Sequence, residues 1–405
     1  MELFFVIVFA LNPVFCILAY LFFGPKDVRL TKKKFYIKLS NKKLLFFSFI
    51  CIIFVSLVNA TKLAASDLIV YYDSYARAYH EDFFTYWATS AKWGTGFDEP
   101  GYVLYSWVLS NITNANTAVL MFVLSFFSYL FFCLGIINWG RYFNLPVLTI
   151  FVAIIIACFY PYIFTRSAHL LRQFVSMCLL FYATSKIPIT DSILQYIKKT
   201  WIVLLIMVLF HKSSILLISF LVFPLFRKSI YTHKLMYLGV MGALVVYRFI
   251  AAVLSPYFGN SLMGSAVEQV NRNVSVQLEG LTIVEYLTLA IFMIVFGGLL
   301  LKRKLDVKLL QVSNVVVVLV LFVIVNINQP SIGRRFFYYL LVFLPLLWFI
   351  LDSYYKINPI VQLLLSLIII IGFAYYIDNG PWEYNVNGNV LFTSPFYYDY
   401  NTTGR

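Results

Sequence analysis

Long stretches of this chain carry almost no charge, and that constrains its folding more than any motif. A helix of about 20 mostly apolar residues spans the hydrocarbon core of a bilayer, where each backbone N–H and C=O must be satisfied within the segment. Such runs can be drawn at about residues 3–23, 44–60, 116–138, 147–164, 168–187, 235–254, 283–301, 312–328, 337–352 and 360–377. The expected fold is an all-α polytopic integral membrane protein with about ten full transmembrane helices. Of the 405 residues, 62% are hydrophobic and only 12% charged, against about a quarter charged in ordinary soluble domains. A soluble globular enzyme is excluded. Residues 3–23 follow Glu2 instead of a basic flank and meet positive charge only afterwards, so they read as a first membrane helix and not a cleaved signal. The five cysteines fall inside apolar runs, without the spacing of a zinc site or redox pair.

The formal net charge of +14 does not point to nucleic acid, because the basic residues are sorted by loop. The loop 24–43 holds eight lysines and arginines against Asp27 alone, which places it in the cytoplasm and the amino terminus outside. Alternation puts Arg141, Lys356 and the loops 186–199, 227–234 and 302–308 inside as well. One run upsets this parity. Residues 201–226 are flanked by basic loops on both sides and interrupted by His211 and Lys212. A broken or re-entrant helical pair there restores the sorting, since irregular backbone at depth is tolerated where it lines a cavity. With no repeat and no linker, residues 1–405 read as a single membrane-embedded domain. Its outer loops are 59–116, 255–282 and the tail 378–405.

Those outer loops have room for specific chemistry. If residues 71–80 form a helix, Tyr72, Tyr75 and Tyr79 share one face and Asp73 stands four residues before Arg77. The tyrosines, with Trp93, suit a sugar surface, while the tyrosines as a set also read as an interfacial aromatic belt. The segment 93–102 (WGTGFDEPGY) holds Asp98 and Glu99 in a glycine and proline turn. Asp98 suits either turn formation and capping or the deprotonation of a hydroxyl. Neither Asp73 nor Glu99 has such a local role, so each is a candidate general base. On a continuous helix, the run 165–174 (TRSAHLLRQF) would set Arg166, His169 and Arg172 within an arc of about 120°, one polar face entering the bilayer. Arginines there suit phosphate oxygens. His211 with Lys212, and Arg334 with Arg335, complete the charged groups on that side. No HExxH, CxxC, P-loop or GxGxxG pattern occurs, and no acidic metal site for a nucleotide sugar, so no metal or cofactor is expected and a glycosyl donor should arrive on lipid.

The order of these segments resembles the bacterial O-antigen and exopolysaccharide polymerases of the Wzy class, particularly the EpsG-like family. The residues that carry the likeness are YYDSYARAY from Tyr71, EPGY at 99–102, LRQ at 171–173, FHKSS at 210–214, GRRFFYY at 333–339 and PFYYDY at 395–400. The resemblance implies an enzyme of the bacterial inner membrane whose active site faces the periplasm. It would transfer a growing glycan from undecaprenyl pyrophosphate onto a new lipid-linked repeat unit. Arg166, Arg172, Arg334 and Arg335 would then hold the pyrophosphate, while Asp73, Glu99 or His211 activates the acceptor hydroxyl and Tyr72, Tyr75, Tyr79 and Trp93 hold sugars. The implied partners are the undecaprenyl-pyrophosphate-linked oligosaccharide, membrane lipid and a chain-length co-polymerase. An O-antigen ligase to lipid A core uses similar residues; a lipid-linked oligosaccharide flippase should show matched broken helices in two halves, and only one interrupted segment is evident. A membrane acyltransferase, with His211 as base, is a further rival.

Overall fold

The computed structural model describes residues 2–23, 34–90, 99–190, 192–222, 281–302, 306–327 and 330–402, with isolated positions 228, 239, 242 and 246. Among these every regular element is helical, and the only β contact is an isolated bridge between Lys62 and Tyr384. Six helices among the described residues are long and apolar enough to cross a membrane, or up to eight if each of two bent pairs counts as one span. The described residues thus do not confirm the expected ten full crossings. The expected crossing at 235–254 and nearly all of the loop 255–282 lie outside the described residues.

The chain divides into two compact units, residues 1–218 with 344–405, and residues 219–343. The first unit begins with α1 (Glu2–Leu11) and α2 (Pro13–Phe23). In one straight helix Phe5 and Tyr20 would stand about 22 Å apart, yet their rings lie 4.9 Å apart. The two helices fold back on each other at Asn12, so residues 3–23 are a hairpin and not a single crossing. The cause is Pro13, which restricts the residue before it and cannot donate to the helix ladder.

Two long helices, α3 (Lys34–Ala60) and α7 (Thr117–Tyr142), form the centre, with α8 (Val147–Phe159), α9 (Pro161–His169) and α10 (Leu171–Thr184) packed around them. A Cβ on Gly135 of α7 would come within 2.8 Å of the Phe181 ring and 3.2 Å of the Tyr182 Cα, so α10 approaches there only because the residue is glycine. Asn59 donates to Ser125 Oγ at 2.8 Å and Ser167 Oγ at 2.7 Å, tying α3, α7 and α9 through a buried polar group. The five cysteines are buried and unpaired. Pro161 bends α8 against α9 by 47°. Then α9 stops at His169, and Leu170 (φ −110°, ψ 53°) separates it from α10. This second break corrects the continuous helix expected through residues 165–174.

Residues 59–116 are largely helical: α4 (Asp67–His80), α5 (Phe83–Ser90) and α6 (Pro100–Thr113), with α4 packed on α6. The interrupted run is α11 (Ile193–Phe210) followed by α12 (Ser214–Val222), with the break at His211 as expected. However, α11 starts eight residues earlier than the expected pair and is itself of spanning length. Last in this unit are α13 (Leu344–Tyr355) and α14 (Pro359–Asn379). The tail beyond Asn379 straps one end of the unit. Leu63 N–H donates to Glu383 O and Asn385 N–H to Thr61 O, while the Thr117 and Thr402 hydroxyls meet at 2.6 Å. The α1–α2 turn joins the same strap through Asn12 to Leu391 O and Ser394 to Ala10 O. At the other end Asp352 accepts from Thr149, Gln362 and the Ile357 N–H. Asn144 and Lys356 line a cavity with it.

In the second unit, a helix over Ile283–Leu300 contains a π turn at Met293–Gly297 and starts with a capping box between Thr282 and Glu285. The helices Val307–Val325 and Pro330–Leu341 pack together. A Cβ at Gly333 would meet the Asn326 carbonyl oxygen at 2.9 Å, which explains the glycine of GRRFFYY. Replacing Gly135 by valine is expected to cost about 1–3 kcal/mol through overpacking, measured as a lowered Tm of the purified protein in detergent; an unchanged Tm would show that α10 can move aside freely.

Candidate functional site

The EPGY segment builds a site one residue at a time. Glu99 precedes α6 as its N-cap residue, but its side chain makes no cap hydrogen bond. Pro100 follows at the first helical position, where its missing N–H costs nothing. A Cβ on Gly101 would lie 2.7 Å from the Leu209 Cβ and 3.1 Å from its backbone, so glycine lets α6 touch the end of α11. That contact brings Glu99 to His211. Tyr102 is buried, its ring 5.7 Å from Tyr71 and 6.3 Å from Phe210.

Glu99 is only 3% exposed. A lone ionised carboxylate there would be costly, and three groups compensate it. Arg172, on the first turn of α10, donates through Nη1 to Oε2. His211, in extended backbone between α11 and α12, lies with Nδ1 2.7 Å from Oε1. The Lys212 backbone N–H donates as well. Burial pushes the Glu99 carboxyl up, but the His211 hydrogen bond, the Arg172 charge and the Lys212 N–H outweigh it and hold the group below the ordinary carboxylate range. An ionised carboxylate can only accept, so the proton between Glu99 and His211 belongs to Nδ1. This fixes the tautomer that leaves Nε2 as the acceptor of a neutral ring. Arg172 is itself held: Nε donates to the Tyr71 hydroxyl at 3.0 Å, and its guanidinium lies over the Tyr71 and Tyr102 rings.

Three sequence candidates, Glu99, Arg172 and His211, thus meet in one cluster. Asp73 does not join them, because the buried face of α4 comprises Leu68, Tyr71, Tyr72, Tyr75 and Ala78, and Asp73 falls on the exposed face. Tyr72 donates its hydroxyl to the Lys62 carbonyl at 2.9 Å, and Tyr75 is fully enclosed with its hydroxyl 2.6 Å from Thr113 Oγ1. Tyr79 is 41% exposed. Trp93 lies outside the described residues. Arg334 and Arg335 stand on Pro330–Leu341 in the second unit, the first half-buried and the second exposed.

Arg166 and His169 part company with Arg172 at the Leu170 break. They face a separate cavity of about 470 Å³, also lined by Asp67, Thr165, Tyr376 and Trp382. The His169 ring lies 4.0 Å from that of Trp382. Behind Trp382 is Lys62, fully buried, its ammonium 5.1 Å from the centroids of Trp382 and Tyr384. Burial pushes Lys62 down to about 8, a drop that the Glu383 charge partly opposes. Sequence reasoning missed Tyr71, Tyr102, Lys62 and Trp382. Tyr71 was within reach, since it follows Leu68 by three residues and precedes Tyr75 by four on the same helical face.

The Glu99 carboxyl ionises below the value of about 4.3 it has in an unfolded chain, so its contribution to stability is complete above that pH and disappears as the pH falls through the lower folded-state value. Thermal unfolding from about pH 6 down to about pH 3 is expected to show the wild type losing Tm more steeply than Glu99→Gln; parallel curves would mean that the carboxylate is not held this way.

The EpsG family model matches residues 43–380, a stretch that includes Glu99, Arg172 and His211. No curated protein and no solved structure matches the chain significantly.

Proposed function

The chain belongs to the EpsG family of Wzy-like polysaccharide polymerases and glycosyltransferases, and from that premise we propose that it polymerises O-antigen from undecaprenyl-pyrophosphate-linked repeat units. The observation that carries the reading is the buried Glu99–His211 pair, clamped by Arg172, on helices whose neighbours are of membrane-spanning length. The site end of the first unit, where residues 59–116 meet the tail, would face the periplasm, as the basic loops imply.

In this mechanism His211 is the general base. With Nδ1–H held by Glu99, Nε2 accepts the proton of the acceptor sugar hydroxyl. The freed oxygen attacks the anomeric carbon of the growing chain. The bond from that carbon to the pyrophosphate oxygen breaks, and its electron pair leaves with the diphosphate. His211 carries the proton until it passes to the leaving group or to water. Glu99 orients the ring and stabilises the imidazolium that forms, the part a carboxylate plays in a nucleophile–histidine–carboxylate triad. Arg172 keeps Glu99 ionised and placed; because its fork is engaged by Glu99 and Tyr71, it acts as a positioning residue in this reading.

Cells lacking the protein are expected to display lipid A core with one repeat unit in place of a ladder, and an unchanged ladder would remove the proposal. Polymer retained on the undecaprenyl carrier would instead indicate the ligase. In reconstituted vesicles supplied with synthetic undecaprenyl-linked repeat units, His211→Gln keeps a polar partner for Glu99 but loses the base, and ladder formation should fall by about 10²–10⁴-fold. Arg172→Ala should insert yet fail to extend chains. Wild-type rates in His211→Gln would assign the base elsewhere.

A further inference from the structure

The cavity beyond the Leu170 break holds polar groups that the Glu99 cluster does not engage. Two polar groups here are enclosed and have no hydrogen-bond partner among the described residues: His169 Nε2, whose residue lines the cavity, and Lys62 Nζ, which stands against the lining residue Trp382. Lys62 is 0% exposed and His169 6% exposed. A buried ammonium without a hydrogen-bonded partner is among the costlier features a fold can keep, and a buried imidazole nitrogen without one is also unfavourable. Both stand beside the Arg166 guanidinium. Lys62 and Arg166 lie close enough for their charges to bear on the His169 ring, and Arg166 and His169 both line the cavity.

The opposing charges are differently placed. Asp67 lines the cavity from the first turn of α4 but is exposed, and Glu383, beside Trp382, is exposed as well. Water screens those two carboxylates, whereas the enclosed lysine acts through a medium of lower dielectric. The cavity therefore favours an anion. Arg166 and His169 end the second half of the bent apolar pair Val147–Phe159 and Pro161–His169, where a candidate membrane span gives out. An anionic group at that level, with room for about 470 Å³, matches the phosphates of a lipid carrier at the headgroup layer.

We propose that Arg166 and His169, with Trp382 as a wall and the Lys62 charge behind it, form a diphosphate-binding pocket separate from the Glu99–His211 pair. Its ligand class, a lipid-linked diphosphate, rests on the polymerase reading; the pocket itself rests on the two unpartnered groups. The tail completes it. Trp382 and Tyr384 cover Lys62, and the tail backbone is fixed to residues 61–63 by the Asn385–Thr61 and Leu63–Glu383 hydrogen bonds. A diphosphate would accept from His169 and Arg166 directly and offset the Lys62 charge through space.

The test uses the purified full chain in lipid nanodiscs with two probes, farnesyl diphosphate and inorganic pyrophosphate, read by calorimetry. Wild-type protein is expected to bind farnesyl diphosphate, Lys62→Met and His169→Ala each at least about tenfold more weakly, and Lys198→Met like the wild type. Lys62→Met should melt no lower than wild type at pH 7, because it removes a buried charge that has no hydrogen-bond partner and keeps the volume; that comparison separates lost binding from lost folding. Tighter binding of farnesyl diphosphate than of pyrophosphate supports the pocket and assigns it to the lipid-linked form. Equal binding, still dependent on Lys62, supports it for the free diphosphate. Wild-type affinity in both variants, or no binding of either probe to wild type, would overturn it. Lys62-dependent binding in a protein that builds no ladder would sink the polymerase reading alone, and a ladder without such binding would sink the pocket alone.

Discussion

A carboxylate that is 3% exposed cannot stand alone, and the site end of the first unit is arranged around that requirement. Glu99 arrives on α6, Arg172 on α10 and His211 after α11, three segments far apart in sequence. Removing one partner from such a buried ion pair typically costs about 3–5 kcal/mol. The cluster therefore couples the helical stretch before α7 to the bundle behind it. Gly101 and Pro100 serve this coupling as much as Glu99 does, one by allowing contact with Leu209 and the other by starting α6 at the right residue.

Helix interruptions do the remaining placement. The backbone breaks at Asn12, at Tyr160–Pro161, at Leu170 and at His211–Ser213, and each break redirects polar groups that a continuous helix would have aligned differently. At Leu170 the consequence is greatest. Arg166 and Arg172 are six residues apart, yet one lines a cavity with His169 while the other clamps Glu99. One short segment thus sends one arginine to a cavity and the other to an ion pair.

Much of this was legible in the sequence, for physical reasons that also mark where legibility stops. Apolar length identified helices of spanning size, because the bilayer imposes a length on any segment that crosses it. Glu99 stood out because no capping or turn role accounted for it, and the structure shows why: its side chain leaves its own helix uncapped to reach Arg172 and His211. Asp73 looked equivalent on the same grounds, and only the burial of Tyr71, Tyr72 and Tyr75 decides against its joining the cluster. The Asn12–Pro13 pair was a turn signal inside an apolar run, outweighed by the length of that run. The break at Leu170 carried no proline or glycine, so nothing in the local sequence marked it. Lys62 was invisible for another reason: its neighbours Trp382 and Tyr384 come from the far end of the chain.

That distance has a bearing on how the molecule is made. The strap closes through contacts separated by 285 to 384 residues, from Thr402 to Thr117 and from Ser394 to Ala10. Such closures form late, since the entropy of a large loop must be overcome before the contact can repay it. While the ribosome is still threading the helices into the bilayer, the lysine that later sits beneath Trp382 and Tyr384 has no lid. A chain that lacks the tail would therefore lack the roof over Lys62 that Trp382 and Tyr384 provide.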